Sequence, residues 1–258
     1  MLSPIEVAKA AHILAERRRS GVQAERLPGE CRPMDLDSAL AVQSAVTREL
    51  GSEVGGWKCL LPPPDRLVVA PILASDIHRD VPVPVWAPDG VAKIEPELAF
   101  VFDRDLPARD EAYSSETVQS AIAHTHLVLE LIHSRYADPA AVEFPELLAD
   151  GLLNQGLFIG PEVDPDLAVA ASEMAITVHS QSGAPETHAG RHPNTHPRAP
   201  LEWLVDFLRD TGAGIKAGDI VITGSYAGVL EVPLEEPVRV QFGELGELSV
   251  AFKARVQS

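Results

Sequence analysis

Glu95 and Glu97 stand one residue apart inside an apolar stretch, Val91-Ala92-Lys93-Ile94-Glu95-Pro96-Glu97-Leu98-Ala99-Phe100-Val101-Phe102. A strand alternates its faces with period two. Lys93, Glu95 and Glu97 therefore share one face, and Ile94, Leu98, Phe100 and Phe102 form the other, a core face. Carboxylates side by side on a half-buried strand repel each other and resist desolvation. A divalent cation relieves both costs, and hard cations take oxygen ligands. The alternative is an edge strand with solvated charges, which Pro96 would suit. A third acid, Glu130, interrupts the apolar run Leu127-Val128-Leu129-Glu130-Leu131-Ile132. Glu is almost never fully buried without a partner, so Glu130 needs either a Lys or Arg in an ion pair or a metal ion. Three carboxylates from two strands would make a Mg²⁺ or Mn²⁺ site with positions left open for a substrate.

The flanking elements must hold these acids in place. Ser3-Pro4-Ile5-Glu6 is a helix start, with Ser as N-cap, Pro at N1 and Glu at N3, and the helix is expected over residues 4–19 with a stop near Gly21. A second helix is expected from Leu36 to Leu50, ending at Gly51. Beyond Gly55-Gly56 short β-like runs alternate with Pro and Gly. Strands are expected at 57–61, 81–85, 91–102, 127–132, 157–160, 175–178, 220–223, 238–241 and 248–252. Helices capped by Ser115 and spanning 201–208 interrupt them. Without regular βαβ alternation, Rossmann and TIM architectures are disfavoured, and an α+β fold with a mixed or antiparallel sheet is expected. The pattern suggests a small N-terminal helical lobe over 1–54, or two helices that simply pack on the main sheet, followed by a β-rich domain over 55–258.

Bulk composition narrows the function classes. The chain has 258 residues, 45% of them hydrophobic, which is enough for a large core. A net charge of −17 argues against a nucleic-acid binder and against docking on anionic membranes. The two cysteines, Cys31 and Cys59, form no CxxC or Cys/His zinc spacing. The N-terminus lacks a basic region followed by an apolar one, and no apolar run reaches the length of a membrane span. A cytoplasmic protein is expected.

Several segments, in order and spacing, resemble one family. They are Gly56-Trp57-Lys58, Glu95-Pro96-Glu97-Leu98-Ala99-Phe100, Leu129-Glu130-Leu131-Ile132-His133-Ser134-Arg135-Tyr136, Ala149-Asp150-Gly151, Pro200-Leu201-Glu202-Trp203-Leu204 and Gly218-Asp219-Ile220-Val221-Ile222-Thr223-Gly224-Ser225. The set is similar to the 2-keto-4-pentenoate hydratase / 2-oxo-acid decarboxylase family of the fumarylacetoacetate hydrolase superfamily. The resemblance implies a mixed β-sheet roll of the fumarylacetoacetate hydrolase C-terminal-domain type, with 55–258 as the catalytic domain. It implies Mg²⁺ or Mn²⁺ on Glu95, Glu97 and Glu130, binding a pyruvyl-type head group and stabilising an enolate. Lys58 matches the lysine of the family's G-x-K segment, for charge stabilisation or proton transfer. A solvated Lys or a salt bridge to one of the glutamates is the plainer alternative.

Arg135 could fork onto a substrate carboxylate, fix a ligand carboxylate from behind, or form an ordinary ion pair. Thr223 and Ser225, around Gly224, could present hydroxyls and N–H groups to a carboxylate. Asp150 and Asn154 could line the site. The implied activity is a lyase adding water to a small 2-hydroxydienoate, with 2-oxo-acid decarboxylation or fumarylpyruvate-type hydrolysis as alternatives. A homo-oligomer is implied, with pairing to a related decarboxylase subunit as a further option, or an inactive homologue serving as such a partner.

The chain departs from the family after Lys58. A small-residue, hydroxyl-bearing stretch and an acidic loop are replaced by Cys59-Leu60-Leu61-Pro62-Pro63-Pro64-Asp65-Arg66-Leu67. Three prolines stiffen this wall, and Asp65 is the one candidate to replace the missing acid. The stretch holding His188, His192 and His196 is broken by Gly190, Pro193 and Pro197, so it is expected as an exposed loop rather than a ligand set.

Overall fold

A computed structural model describes residues 1–64 and 66–256. Helix α1 (Pro4–Ser20) opens on a capping box between Ser3 and Glu6 and closes at left-handed Gly21. Helix α2 (Leu36–Leu50) is capped by Asp35 and stopped by left-handed Gly51. Then follow β1 (Val54–Cys59), β2 (Val69–Leu73), β3 (Ile77–His78), β4 (Val83–Val85), β5 (Val91–Phe102), α3 (Ser115–Ser120), β6 (Ile122–Ile132), α4 (Phe144–Ala149) and β7 (Asn154–Glu162). The chain continues through α5 (Pro165–Ala170), β8 (Glu173–His179), β9 (Glu186–Arg191), α6 (Ala199–Asp210), β10 (Ile220–Ile222), β11 (Leu230–Pro233), β12 (Pro237–Phe242) and β13 (Gly246–Ala254). The fold is α+β, as expected, and no helix among the described residues is long and apolar enough to cross a membrane.

The larger sheet runs β2-β1-β10-β5-β6-β7-β3, with β11 also paired to β5, and the smaller runs β4-β13-β12-β8-β9. The first is mixed, because β1 lies parallel to β10 and β3 parallel to β7. Gly56 is required at the β1–β10 seam, since a Cβ there would stand 2.1 Å from the Ile220 carbonyl oxygen. The main core lies between the sheets, where Ile94, Leu98 and Phe100 of β5 meet Val240, Phe242 and Phe252 under α6. Helices α1 and α2 share a separate cluster with Tyr136, Leu148 and Ala149 from beyond residue 54.

Strand β5 is not an edge. It is flanked by β6 along its length, and by β11 and β10 in turn on the other side. Those two partners leave a gap, because β11 stops opposite Ile94 and β10 ends opposite Ala99. Residues 223–229, which join them, leave the sheet there. Pro96 sits in the gap, where its carbonyl accepts from Tyr226 N–H at 3.1 Å. A strand residue's N and O point to the same side, so the donor that proline lacks would have faced a place without a ladder partner. The expected exposed loop at the histidines is partly β9, an edge strand with no alternating apolar face.

Candidate active site

The register of β5 against β6 sets Glu95 directly opposite Glu130 and Glu97 opposite Val128. All three acids therefore rise from one face of the sheet. One oxygen from each lies within 4.8 Å of the others. Like charges directly opposed across a ladder are destabilising, and here Glu97 and Glu130 are also buried. Burial first, and then the Glu130 charge, push the Glu95 carboxyl up to about 7, against the pull of Lys58. Burial, then Glu130 and Glu95, raise Glu97 well above the ordinary carboxylate range.

Lys58 enters from the end of β1 and donates to Glu130 Oε1 at 2.7 Å and to the Leu152 carbonyl at 3.2 Å. Burial disfavours its charge, yet the glutamates, Glu130 foremost, outweigh this and hold its ammonium above the usual value. The Leu152 carbonyl is presented by a run of left-handed residues, Gly151, Leu152 and Leu153. Leucine rarely adopts this conformation, and such strain persists where the surroundings over-determine it. Asn154 donates from Nδ2 to Glu130 Oε1 at 2.8 Å. Glu97 Oε2 accepts from Gly224 N–H at 2.7 Å. Glu130 Oε2 is buried and has no hydrogen-bond partner among the described residues. A bare buried carboxylate oxygen is costly, and a hard cation shared with Glu95 and Glu97 would satisfy it. The residues therefore fit a divalent metal.

A cavity of about 250 Å³ opens over this cluster, lined by Lys58, Leu60, Glu95, Glu97, Glu130 and Ser225 among others. Ser225 and Asn154 thus sit with the acids, one at the wall and one behind Glu130. Arg135 and Asp150 do not line the cavity. Arg135 is fully buried, pairs with Asp150 at 2.6 Å and donates to the Asn154 carbonyl at 2.9 Å. A side chain with those contacts braces the residue that holds Glu130 rather than reaching a substrate. Thr223 also turns inward, donating to the Pro197 carbonyl at 2.6 Å. The carboxylate that the Thr223–Ser225 turn meets is that of Glu97, through the Gly224 N–H. Asp65 lies outside the described residues.

His192 is expected from the sequence in an exposed loop, and the structure corrects this. It is buried, with Nε2 3.3 Å from the Thr223 hydroxyl and Nδ1 accepting from Asn194 N–H. Because that hydroxyl spends its proton on Pro197, Nε2 carries the imidazole hydrogen and the ring is neutral. Burial lowers its pKa to about 4. Pro193, beside it, is part of the cavity wall. The local histidine spacing marks the stretch but not its burial, which arises from contact with a turn some 30 residues on.

The fumarylacetoacetate (FAA) hydrolase C-terminal family matches residues 54–257. The 2-keto-4-pentenoate hydratase of Burkholderia vietnamiensis is 25% identical over 260 residues, covering 95% of this chain and 97% of that one. The TodF product hydratase of Pseudomonas putida is 26% identical over 270 residues, covering 95% of each. Among solved structures, 4-oxalocrotonate decarboxylase from Pseudomonas putida G7, complexed with magnesium and adipate, superposes with a TM-score of 0.77 at 18% identity. That match covers 98% of this chain and 99% of the other, and it shows a shared fold.

Proposed function

The chain belongs to the fumarylacetoacetate hydrolase C-terminal family, and from that premise we propose that it is a Mg²⁺- or Mn²⁺-dependent lyase. The reaction is addition of water to a small 2-hydroxydienoate such as 2-hydroxypenta-2,4-dienoate. The observation that carries this reading is the bare, buried Glu130 Oε2 beside the carboxylates of Glu95 and Glu97. When bound on these acids, a hard cation supplies Lewis-acid polarisation of a chelating substrate oxygen.

The remaining work falls to the chain itself. An ammonium carries three N–H donors. Lys58 spends two on Glu130 and Leu152, so one is left for a substrate in the cavity it lines. That donor can stabilise negative charge on a substrate oxygen or pass it a proton. Asn154 and the Gly224 N–H hold Glu130 and Glu97 so that the acids stay aimed at one point. Leu60, Pro193 and Val68 supply an apolar wall against which a hydrocarbon tail packs.

The test is loss of the ultraviolet absorbance of 2-hydroxypenta-2,4-dienoate with Mg²⁺, with and without chelator, with the product identified. Chelator-sensitive formation of 4-hydroxy-2-oxopentanoate is the expected result. Carbon dioxide release from a 2-oxo acid in place of hydration would reassign the reaction, and turnover indifferent to chelator would remove the metal from it.

A further inference from the structure

A second cavity, of about 200 Å³, is lined by Arg18, which donates to the Asn154 carbonyl at 2.8 Å, together with Arg255, Asp76, Trp86, Leu73 and Ser75 among others. We propose that it binds a short-chain carboxylate, with the head group on Arg18 and Arg255 and the carbon chain against Trp86 and Leu73. The charge balance favours an anion. Four arginines line the space, Arg18, Arg19, Arg135 and Arg255, and only Asp76 opposes them there. Arg135 is neutralised by Asp150 and Arg19 by Glu16, so Arg18 and Arg255 face one carboxylate between them. Each holds one Asp76 oxygen, Arg18 at 3.1 Å and Arg255 at 3.3 Å. One positive charge is left over, in a chain of net charge −17.

The donors are there to use it. A guanidinium has five N–H groups. Arg18 spends one on Asp76 and one on the Asn154 carbonyl, while Arg255 spends one on Asp76 and one on the Pro84 carbonyl. Three remain on each among the described residues. Both side chains are held rather than free, at 13% and 26% exposure, so little rotamer entropy is lost on binding. The Arg255 guanidinium lies 5.7 Å from the Trp86 ring centroid, which fixes its plane against an apolar surface. Leu50, Leu73 and Trp86 make the rest of the wall apolar, which suits a carboxylate with a hydrocarbon stem better than a bare inorganic anion.

The test is a ligand-observed NMR titration of the full-length, Mg²⁺-loaded protein with butyrate, acetate and sulfate. Saturable butyrate binding that is tighter than acetate or sulfate binding is expected. Arg255→Gln should weaken it by roughly tenfold or more, as truncating one partner of a held charge pair does. Glu97→Ala should leave it unchanged. Ser75→Glu, at an exposed rim position, brings a negative charge to the same cavity and should also abolish binding, a check that does not depend on Arg255→Gln folding. No saturable binding to the parent protein would overturn the proposal. So would binding that disappears in Glu97→Ala and survives in Arg255→Gln and Ser75→Glu, which would put the anion on the acid cluster.

Discussion

Replacing Lys58 with Met removes the cationic partner of a fully buried carboxylate and keeps the bulk of the side chain. Lys58 Nζ is 2.7 Å from Glu130 Oε1, and the two side chains are 12% and 0% exposed. Breaking such a pair by deleting one partner costs about 3–5 kcal/mol. The cluster has a way to relieve that cost, because it can hold a proton. Glu95 titrates near 7 in the folded protein against an ordinary value of 4.5. Between those two values the folded state keeps a proton that the unfolded state has lost, so metal-free stability falls as pH rises, by about 3 kcal/mol in all. Lys58 is one of the groups that pull these carboxyls down, so without it they hold protons still more tightly. The deficit of Lys58→Met should therefore be about 3 kcal/mol near pH 8.5 and shrink toward about 1 kcal/mol near pH 6. Urea unfolding of both proteins in chelator at the two pH values measures this. Saturating Mg²⁺ should then close most of the gap, since a cation does for Glu130 what the lysine did. A deficit that is the same at both pH values and blind to Mg²⁺ would refute the reasoning.

Three further outcomes are expected. Glu97→Gln should raise metal-free stability by about 1–3 kcal/mol near neutral pH, because folding no longer has to put a proton on that buried carboxyl, and should abolish both Mg²⁺ stabilisation and turnover; unchanged Mg²⁺ affinity would take Glu97 out of the ligand set. Gly224→Ala should cost about 1–3 kcal/mol and weaken Mg²⁺ binding, because φ is 118° there and the new Cβ would stand 2.6 Å from both Leu60 and Pro193 carbon atoms; parent-like Mg²⁺ binding by calorimetry would show that the Gly224 N–H does not position Glu97. His192 binds a proton below about pH 6.5 when unfolded and only below about 4 when folded. Its stability contribution is thus present above pH 6.5 and is lost, up to about 3 kcal/mol, as pH falls toward 4. His192→Gln should flatten that part of the acid-unfolding curve, and an identical curve would show that the imidazole is not what acid attacks.

What could be read from the residues, and what could not, follows the range of the interactions. The caps of α1 and α2 are local: Ser3 with Glu6, Asp35 with Ser38, and Gly21 and Gly51 in left-handed backbone. Those helices fall where the pattern put them. The alternation along β5 is local too, and it set Glu95 and Glu97 on one face. Their pairing with Glu130 depends on register, which a sequence suggests only through the apolar match of the two strands. Edge strand β9 reads Glu-Thr-His-Ala-Gly-Arg and has no apolar face to see, while β11 alternates Leu230, Glu231, Val232 but is only four residues long. Pro96 pointed to an edge because a missing donor usually does; here the missing partner is a local gap inside the sheet. The residues leave Arg135 open between a substrate contact, a brace and an ion pair, and place Asp150 at the site wall; that the two satisfy each other is a tertiary contact that no local pattern reveals. The same is true of His192, whose partner comes from a distant turn.

The gap between β10 and β11 accounts for the site more fully than the acids alone do. A continuous strand in their place would cover the Glu95–Leu98 backbone and give Glu97 no room to meet an N–H from outside the sheet. With the chain leaving at Thr223 and returning at Leu230, the Gly224 N–H reaches Glu97 Oε2, and Ser225 takes its place at the cavity wall. The turn is held from behind by the Thr223–Pro197 and His192–Thr223 contacts, and from the front by Leu60 and Pro193 packing on Gly224. Glu130 has no such freedom, because β5 and β7 pair with β6 on either side of it. Its carboxylate therefore stays near Glu95 at an electrostatic cost that the sheet's ladder and core sustain. An unfavourable cluster kept by a rigid frame stores the free energy that a cation would recover on binding. If so, softening the frame at Gly224 should lower cation affinity more than it lowers the stability of the metal-free protein, since relaxation lets the acids separate. Equal losses in both would mean that the cluster is not held under strain.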